Sequence, residues 1–341
     1  MNNYLSNAKK EVSMALIINF GITALMGIIL VVAYKKIPTT STSSTSDFAV
    51  VQMLYPAFAT IITIKYFNKE KLSKPINIFL NIFIATTIIS ICALFICTFF
   101  FSNNPKVLSF IINGIIGIFS VASTIVIFSN KNKDFESLNL EIGKNFKKIV
   151  IVLLIFVGLF IVSVCVGFIV EPDDSFKISN LINTLVSLPV SLFFSVVFSF
   201  IMFFGEEFGW RGYLQPRLQS IFGKKLGVLI LGPIWGIWHL PLCFTLYSPK
   251  TPIYCVIWYI ISCTCLSIFL GYAYMKTENL WTPILIHLIN NKFAGMFSGG
   301  NYEATFELET LLVGIAINVI IFVPFIFTKE YKKSIGEQAQ I

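Results

Sequence analysis

The feature that most constrains this chain is a series of long apolar runs. About 20 apolar residues in a helix cross the hydrocarbon core of a bilayer, and the sequence contains about ten runs of that kind. They cover approximately residues 12–34, 48–67, 76–101, 107–128, 148–170, 181–204, 226–246, 252–275, 280–297 and 309–328. Runs of this length favour helices over the short alternating strands of a membrane barrel. We therefore expect an all-α polytopic transmembrane helical bundle of about 8–10 spans; the short, polar ninth run fits a span least well.

Composition supports the same class. Charged residues make up 12% of the 341 residues and the mean hydropathy is +0.82, whereas soluble domains carry about 25% charged residues. The formal net charge of +8 does not indicate nucleic-acid binding, because the basic residues lie in short clusters between apolar runs. The sequence has no P-loop or Gly-rich nucleotide fingerprint. We expect the lipid bilayer as a partner, and neither nucleic acid nor nucleotide.

The distribution of lysine and arginine predicts the orientation in the membrane. With the N-terminus in the cytoplasm, 19 of the 25 basic residues fall in cytoplasmic segments, as the positive-inside rule expects. The segment EPDDSFK, residues 171–177, is then outside and net acidic. No small-residue cleavage site follows the first run, so we interpret it as a retained span. We expect a multi-pass protein of the cell membrane with both termini inside; the Ile-, Asn- and Lys-rich composition suggests a bacterial cytoplasmic membrane.

Ionisable side chains inside the apolar runs are the candidate functional residues, because each costs a few kcal/mol to insert. The only two histidines, His239 and His287, both lie inside apolar runs. Glu206 and Glu207 directly follow the apolar stretch SFIMFFG. Glu207 precedes Arg211 by four residues, which favours an ion pair on one helix face. Glu206 lies about 100° away around the helix and is therefore expected to face a cavity.

Two further pairs are spaced by four residues on other helices, Trp235 with His239 and His287 with Asn291. Each candidate also has a structural explanation. The adjacent acids could mark a helix end that emerges into water, and the second pair could be an interhelical hydrogen bond that holds a bundle together. A single buried histidine is also more often a core residue than a catalyst. Spacing alone does not decide between these readings.

Three motifs resemble those of the CPBP family, which comprises type II CAAX prenyl endopeptidases and their Abi or bacteriocin-processing relatives. The stretch GEEFGWRGYLQPRLQ is similar to the EExxxR motif, WGIWHLPL to FxxxH, and HLINN to HxxxN. The resemblance covers roughly residues 185–300, and Trp235 stands where the family usually has Phe. We expect that difference to affect cavity packing more than chemistry. The resemblance implies an intramembrane endopeptidase acting on peptides or membrane proteins, with its active site in a cavity among the C-terminal helices.

The resemblance also implies a role for each motif residue. Glu206 becomes the general base that activates a water molecule, and His239 its partner in orienting the water or relaying the proton. His287 and Asn291 become the donors that stabilise the oxyanion. The residues expected to support them are Glu207, Arg211 and Trp235.

Several alternatives remain at this point. Two histidines and a glutamate could hold zinc, but HExxH is absent and the histidines come from different helices, so we favour a glutamate protease without metal or other cofactor. A non-catalytic bacteriocin self-immunity or regulatory protein would be favoured by degraded motifs, whereas these motifs are intact. A proton-relaying transporter would predict two related halves, which are not visible. In a bacterium, peptide precursors or membrane-protein fragments fit the substrate role better than prenylated proteins.

The motifs divide the chain into three regions. Residues 1–180 hold N-terminal transmembrane helices of unknown role, 181–300 the catalytic core, and 301–341 the last transmembrane helix with a cytoplasmic tail. Residues 39–47, TTSTSSTSD, are expected to form a flexible linker. The seven cysteines all lie in apolar runs and indicate no disulfide framework.

The proposed catalytic roles require Glu206 and His239 to lie at a similar depth in the membrane. Glu206 is expected near the cytoplasmic end of its span and His239 about 13 residues into the next, a difference in depth of roughly 20 Å at 1.5 Å per residue. The two can meet if the acid-bearing helix continues to about Leu214, or if the helix that carries His239 starts inside a wide funnel that faces the cytoplasm. Of these two, we predict the continuation, with the acids below the membrane surface.

Overall fold

The computed structural model describes residues 2–36, 43–67, 72–100, 105–170, 178–297 and 304–332. This part of the chain contains helices and no β-strand, which confirms the all-α class. Within it, nine helical segments are long and apolar enough to cross a membrane, so the chain is a multi-pass membrane protein. The run at 280–297 forms a helix of only 17 residues and is not among the nine.

The helices are, in chain order, α1 (Asn2–Lys36), α2 (Ser43–Gln52), α3 (Tyr55–Phe67), α4 (Lys74–Phe100), α5 (Pro105–Ser129), α6 (Phe146–Val170), α7 (Ile178–Phe198), α8 (Phe200–Glu207), α9 (Gln215–Phe222), α10 (Lys224–Trp238), α11 (Leu240–Leu242), α12 (Pro252–Thr277), α13 (Trp281–Phe297), α14 (Leu308–Phe322) and α15 (Lys329–Lys332). Four shorter segments are helical with a different pitch: Asn132–Leu138 and Val323–Phe327 are 3₁₀, and Phe208–Leu214 and Cys243–Tyr247 are π-helical.

Several segments predicted from the sequence can be compared with these helix boundaries. Residues 43–47 of the predicted linker are helical, because α2 begins at Ser43. The rest of that linker, the acidic segment 171–177 and the tail beyond residue 332 lie outside the described residues. The seven cysteines are free thiols.

Large apolar side chains are exposed on the surface of the bundle. Phe110, Ile169 and Ile320 are 82%, 77% and 72% exposed. Soluble monomers rarely show apolar surface on this scale, but a lipid-facing helix can carry it because hydrocarbon chains are as apolar as the side chains. The exposed apolar surface is therefore the expected counterpart of helices that cross a membrane.

The predicted sixth span, 181–204, is two helices rather than one. α7 ends before Ser199, whose φ of −131° and ψ of 4° depart from helical values. The acid-bearing helix begins at Phe200 and remains helical as far as Phe222. It thus passes Leu214, its predicted end, by eight residues.

Gly223 turns this helix back on itself. Its φ of +85° lies in the left-handed region that favours glycine, and α10 begins at the next residue. The two arms pack along their length, with the rings of Trp210 and Trp238 5.7 Å apart. Glu206 stands 17 residues before Gly223 and His239 stands 16 residues after it. The predicted mismatch in depth therefore disappears, because the two residues occupy similar positions on the arms of one hairpin.

A glycine pair lets the acid-bearing helix approach the N-terminal helices closely. Gly205 and Gly209 flank the two acids, and a Cβ atom at either position would overlap other residues, at Gly205 the carbonyl of Met53 and at Gly209 Pro56. These contacts lie where α2 gives way to α3. The region 1–180, whose role the sequence leaves open, therefore packs directly against the helix that carries Glu206 and Glu207.

A second glycine pair fixes α10 against α12. Gly232 and Gly236 are also four residues apart, and a Cβ atom at these positions would overlap the backbone at Thr264 and Ile260. Small residues with this spacing are a common means of close helix packing in membranes. The helix that carries Trp235 and His239 is thus held tightly on one side.

Candidate active site

A cavity of about 540 Å³ lies among α8, α10, α12 and α13. Five of the sequence-predicted site residues line it: Glu206, Trp235, His239, His287 and Asn291. The other two, Glu207 and Arg211, have no exposed surface. The structure therefore brings all three motifs to one place.

The cavity extends toward one end of the bundle. Its lining includes Ser46, near the start of α2, Tyr247, and Ala294, near the end of α13. The span from Lys224 to Tyr247 begins at the opposite end. The cavity therefore lies toward the end of the bundle away from Lys224.

Glu206 is held at one oxygen. Its Oε2 accepts a hydrogen bond of 2.8 Å from the indole Nε1 of Trp235, and its side chain is 3% exposed. Within the described part of the chain, its other oxygen has no hydrogen-bond partner. A carboxylate with one oxygen fixed and the other unoccupied can accept a proton in a defined direction.

Glu207 makes two contacts that Glu206 does not. Its Oε1 lies 3.2 Å from Nη1 of Arg211, the ion pair that the spacing predicts. The same oxygen accepts a hydrogen bond of 2.7 Å from Nδ1 of His287. A buried carboxylate between two nitrogen donors is well placed to hold both of them in position.

Arg211 is buried in the π-helical segment that follows the acids. Its Nη2 donates to Oγ of Ser267 at 3.3 Å, and its guanidinium lies 4.1 Å from the centroid of the Trp235 ring. Stacking of this kind stabilises a desolvated cation. Arg211 therefore connects the acid-bearing helix to α10 and α12.

His239 has a defined tautomer. Its Nδ1 lies 2.9 Å from the backbone carbonyl of Trp235; because a carbonyl can only accept, Nδ1 carries the proton. The Nε2 atom is then unprotonated in the neutral ring and able to accept a hydrogen bond. The rings of Tyr259 and Trp238, at 4.5 Å and 4.9 Å, pack against the imidazole.

His287 and Asn291 lie one turn apart on α13. The His287 ring packs edge-to-face against Phe203 and Trp235, at 5.3 Å and 5.8 Å. Asn291 is exposed to the cavity, and its Oδ1 accepts from Nδ2 of Asn290 at 3.4 Å. The amide nitrogen of Asn291 remains a donor with no hydrogen-bond partner among the described residues.

Residues 188–293 match the Rce1-like family of type II CAAX prenyl endopeptidases. This Rce1-like segment contains all seven site residues that the sequence predicts, and the match supports the resemblance to CPBP-family intramembrane proteases that the motifs indicate. The match covers less than half of the 341 residues. No curated protein and no solved structure matches the chain.

Trp235 does more in the Rce1-like segment than the sequence analysis expects. We expected its replacement of Phe to affect packing, but its indole N–H donates to Glu206, a contact that Phe cannot make. Because a buried indole N–H usually finds an acceptor, the presence of tryptophan at position 235 was the sequence signal for a hydrogen bond there. The contacts of Ser267 and Tyr259 had no such signal, because α12 carries no motif.

The site residues, all of which the structure describes, do not form a cluster of the kind that holds a metal ion. Among the described residues, no group of three or more His, Cys, Asp or Glu is close enough together to hold a metal ion. The Nδ1 atoms of His239 and His287 are directed to a carbonyl and to Glu207. Metal-independent catalysis remains a prediction.

Proposed function

We propose that the cavity hydrolyses peptide bonds of membrane-associated peptides or proteins, with Glu206 as the general base. One observation carries the proposal: of the two adjacent acids, Glu206 lines the cavity beside both histidines, whereas Glu207 is enclosed. The match of residues 188–293 to the Rce1-like family supports a protease in general. The distribution of contacts supports the separate roles of the two acids.

The first step is activation of a water molecule. Glu206 takes a proton from the water, whose oxygen attacks the carbonyl carbon of the peptide bond. The indole N–H of Trp235 holds Oε2 of Glu206. The other oxygen of this carboxylate, which accepts the proton from water, therefore has a fixed direction. His239 accepts the other O–H of the water at Nε2 and thereby orients it.

The second step stabilises the tetrahedral intermediate. In the resting site Glu206, Glu207 and Arg211 together carry a net charge of −1, so a His287 that is already protonated before the reaction brings the buried cluster to neutrality. The Nδ1–H of His287 donates to Glu207, and its Nε2–H then donates to the oxyanion. Asn291 supplies a second donor from its amide. The C–N bond breaks as Glu206 returns its proton to the leaving amine.

The proposal is tested with the purified full-length chain and reconstituted single-span peptides. We expect Glu206→Gln to lower turnover by about 10²- to 10⁴-fold, the range for loss of a general base, and His239→Ala to lower it strongly. Glu309→Gln is the matched control, because Glu309 is an exposed acid in the first turn of α14. Equal cleavage by Glu206→Gln and the control would refute the assignment of Glu206 as the base. Absence of cleavage by the wild type would favour a non-catalytic immunity or regulatory role.

A further inference from the structure

A second pocket, of about 190 Å³, lies at the end of the bundle opposite the cavity. We call it the lysine pocket. It forms where α6 and α10 begin, α12 ends and α15 lies. Its charged lining residues are Lys148, Lys224, Lys276, Lys329, Glu278 and Glu330.

The lysine pocket has an excess of positive charge. Lys276 lies 3.1 Å from Oε1 of Glu330, and Nζ of Lys224 donates to the backbone carbonyl of Glu330 at 3.4 Å. Burial acts to raise the pKa of Glu330, but hydrogen bonds from its backbone N–H and from Lys276 hold that pKa below its usual value. Glu330 is therefore ionised at neutral pH, and four lysines against two acids leave a formal charge of +2.

The four lysines differ in depth. Lys224 is only 7% exposed, so its ammonium forms part of the buried wall. Lys148 and Lys329 are exposed at the rim, and no salt bridge joins either of them to another described residue. The excess of positive charge on the lining and the two rim ammonium groups without a salt bridge to another described residue favour an anion as the ligand of this pocket.

Exposed apolar side chains lie near the same helix ends as the lysine pocket. Phe146, Leu226 and Phe327 are 63%, 56% and 64% exposed, each within two residues of a pocket lysine in the sequence, although none of them lines the pocket itself. Lys225 also lies 5.3 Å from the centroid of the Phe327 ring. Lysines next to exposed aromatic rings at the ends of spans are typical of the membrane interface, where headgroups lie above acyl chains.

We propose that the lysine pocket binds a phosphate group, and that the exposed apolar side chains near it favour the phosphate of an anionic phospholipid over a free ion. Basic pockets between the ends of transmembrane helices can bind lipid headgroups in this way. The lipid would tie together α6, α10, α12 and α15. The proposal concerns a part of the molecule remote from the cavity and is independent of peptide hydrolysis.

The test measures lipid retention by native mass spectrometry on the full-length chain in neutral detergent. Phosphatidylglycerol and phosphatidylcholine are offered in turn, and then inorganic phosphate as a competitor. The double variant Lys148→Gln, Lys329→Gln changes only the exposed rim. The control Lys131→Gln, Lys133→Gln removes the same charge from two exposed lysines near the start of the 3₁₀ segment Asn132–Leu138.

We expect the wild type and the control to retain phosphatidylglycerol in preference to phosphatidylcholine, and the rim variant to bind it about tenfold or more weakly. Inorganic phosphate that binds the wild type and not the rim variant, without retention of phosphatidylglycerol, would uphold a phosphate site whose ligand is the free ion. Equal retention of both lipids by the wild type, without phosphate binding, would overturn the proposal. So would equal phosphatidylglycerol affinities of the rim variant and the control.

Discussion

Trp235 and Glu206 are joined by a hydrogen bond of 2.8 Å between the indole N–H and one carboxylate oxygen. The carbonyl of the same tryptophan accepts the Nδ1–H of His239 at 2.9 Å. One residue therefore positions both the proposed base and the proposed water-orienting histidine. Its indole N–H positions Glu206, and its backbone carbonyl positions His239.

Replacing this side chain separates the two functions. We expect Trp235→Phe to keep the His239 contact, which uses the backbone, and to lose the N–H donor to Glu206. A hydrogen bond to a charged group contributes about 1.5–3 kcal/mol, so kcat should fall by about 10- to 100-fold with little change in KM. Steady-state kinetics on a single-span peptide gives the two constants. A variant with unchanged kcat would show that the contact is only structural.

The enclosed acid should matter for stability. Glu207→Gln removes the charge that faces Arg211 and is expected to cost about 3–5 kcal/mol, the usual penalty for leaving a buried partner unpaired. Thermal unfolding in detergent measures the loss. Glu141→Gln is the control, because Glu141 forms a partly exposed pair with Lys144 and pairs near the surface contribute about 1 kcal/mol or less. Equal melting temperatures for the two variants would contradict the bracing role.

The oxyanion assignment predicts a difference between two neighbouring asparagines. Asn291→Ala should lower kcat by about 100- to 1000-fold, as loss of an oxyanion donor does, and should leave the melting temperature unchanged because the side chain is exposed. Asn290→Ala alters the preceding residue, which also lines the cavity, and is expected to lower kcat much less. A kcat for Asn291→Ala equal to that of the wild type would remove Asn291 from the mechanism.

Close packing of α10 should depend on Gly236. A leucine there would overlap the backbone of α12 at Ile260 and displace the helix that carries His239, so both activity and thermal stability should fall. Gly117 has open space where a side chain would stand, and Gly117→Leu is the control for inserting leucine into a membrane helix. If both variants unfold at the same temperature, close packing at Gly236 does not determine the thermal stability of the protein.

Chelators distinguish the proposed mechanism from a zinc mechanism. We expect EDTA and phenanthroline to leave peptide cleavage unchanged, since every group that the proposed mechanism uses is a side chain of the chain or water. Cleavage is measured before and after prolonged chelation. Activity that disappears and then returns on addition of zinc would favour a metal centre instead.

The sequence predicts features that depend on local periodicity. Apolar run lengths gave the all-α class, and four-residue spacing gave the pair of Glu207 and Arg211. The hydrogen bond from His287 to Glu207 joins residues 80 positions apart, and no local pattern encodes which faces of two distant helices meet. The break at Ser199 was hidden because it lies in a continuous apolar stretch without glycine or proline.

The two pockets have a consequence for where substrates come from. Lys224 begins the span whose other end is Tyr247, so the lysine pocket and the lining residue Tyr247 lie at opposite ends of one membrane crossing. Lysine-rich ends face the cytoplasm under the positive-inside rule. The cavity is then expected to face the exterior, where exported peptides, rather than newly made cytosolic ones, would encounter Glu206.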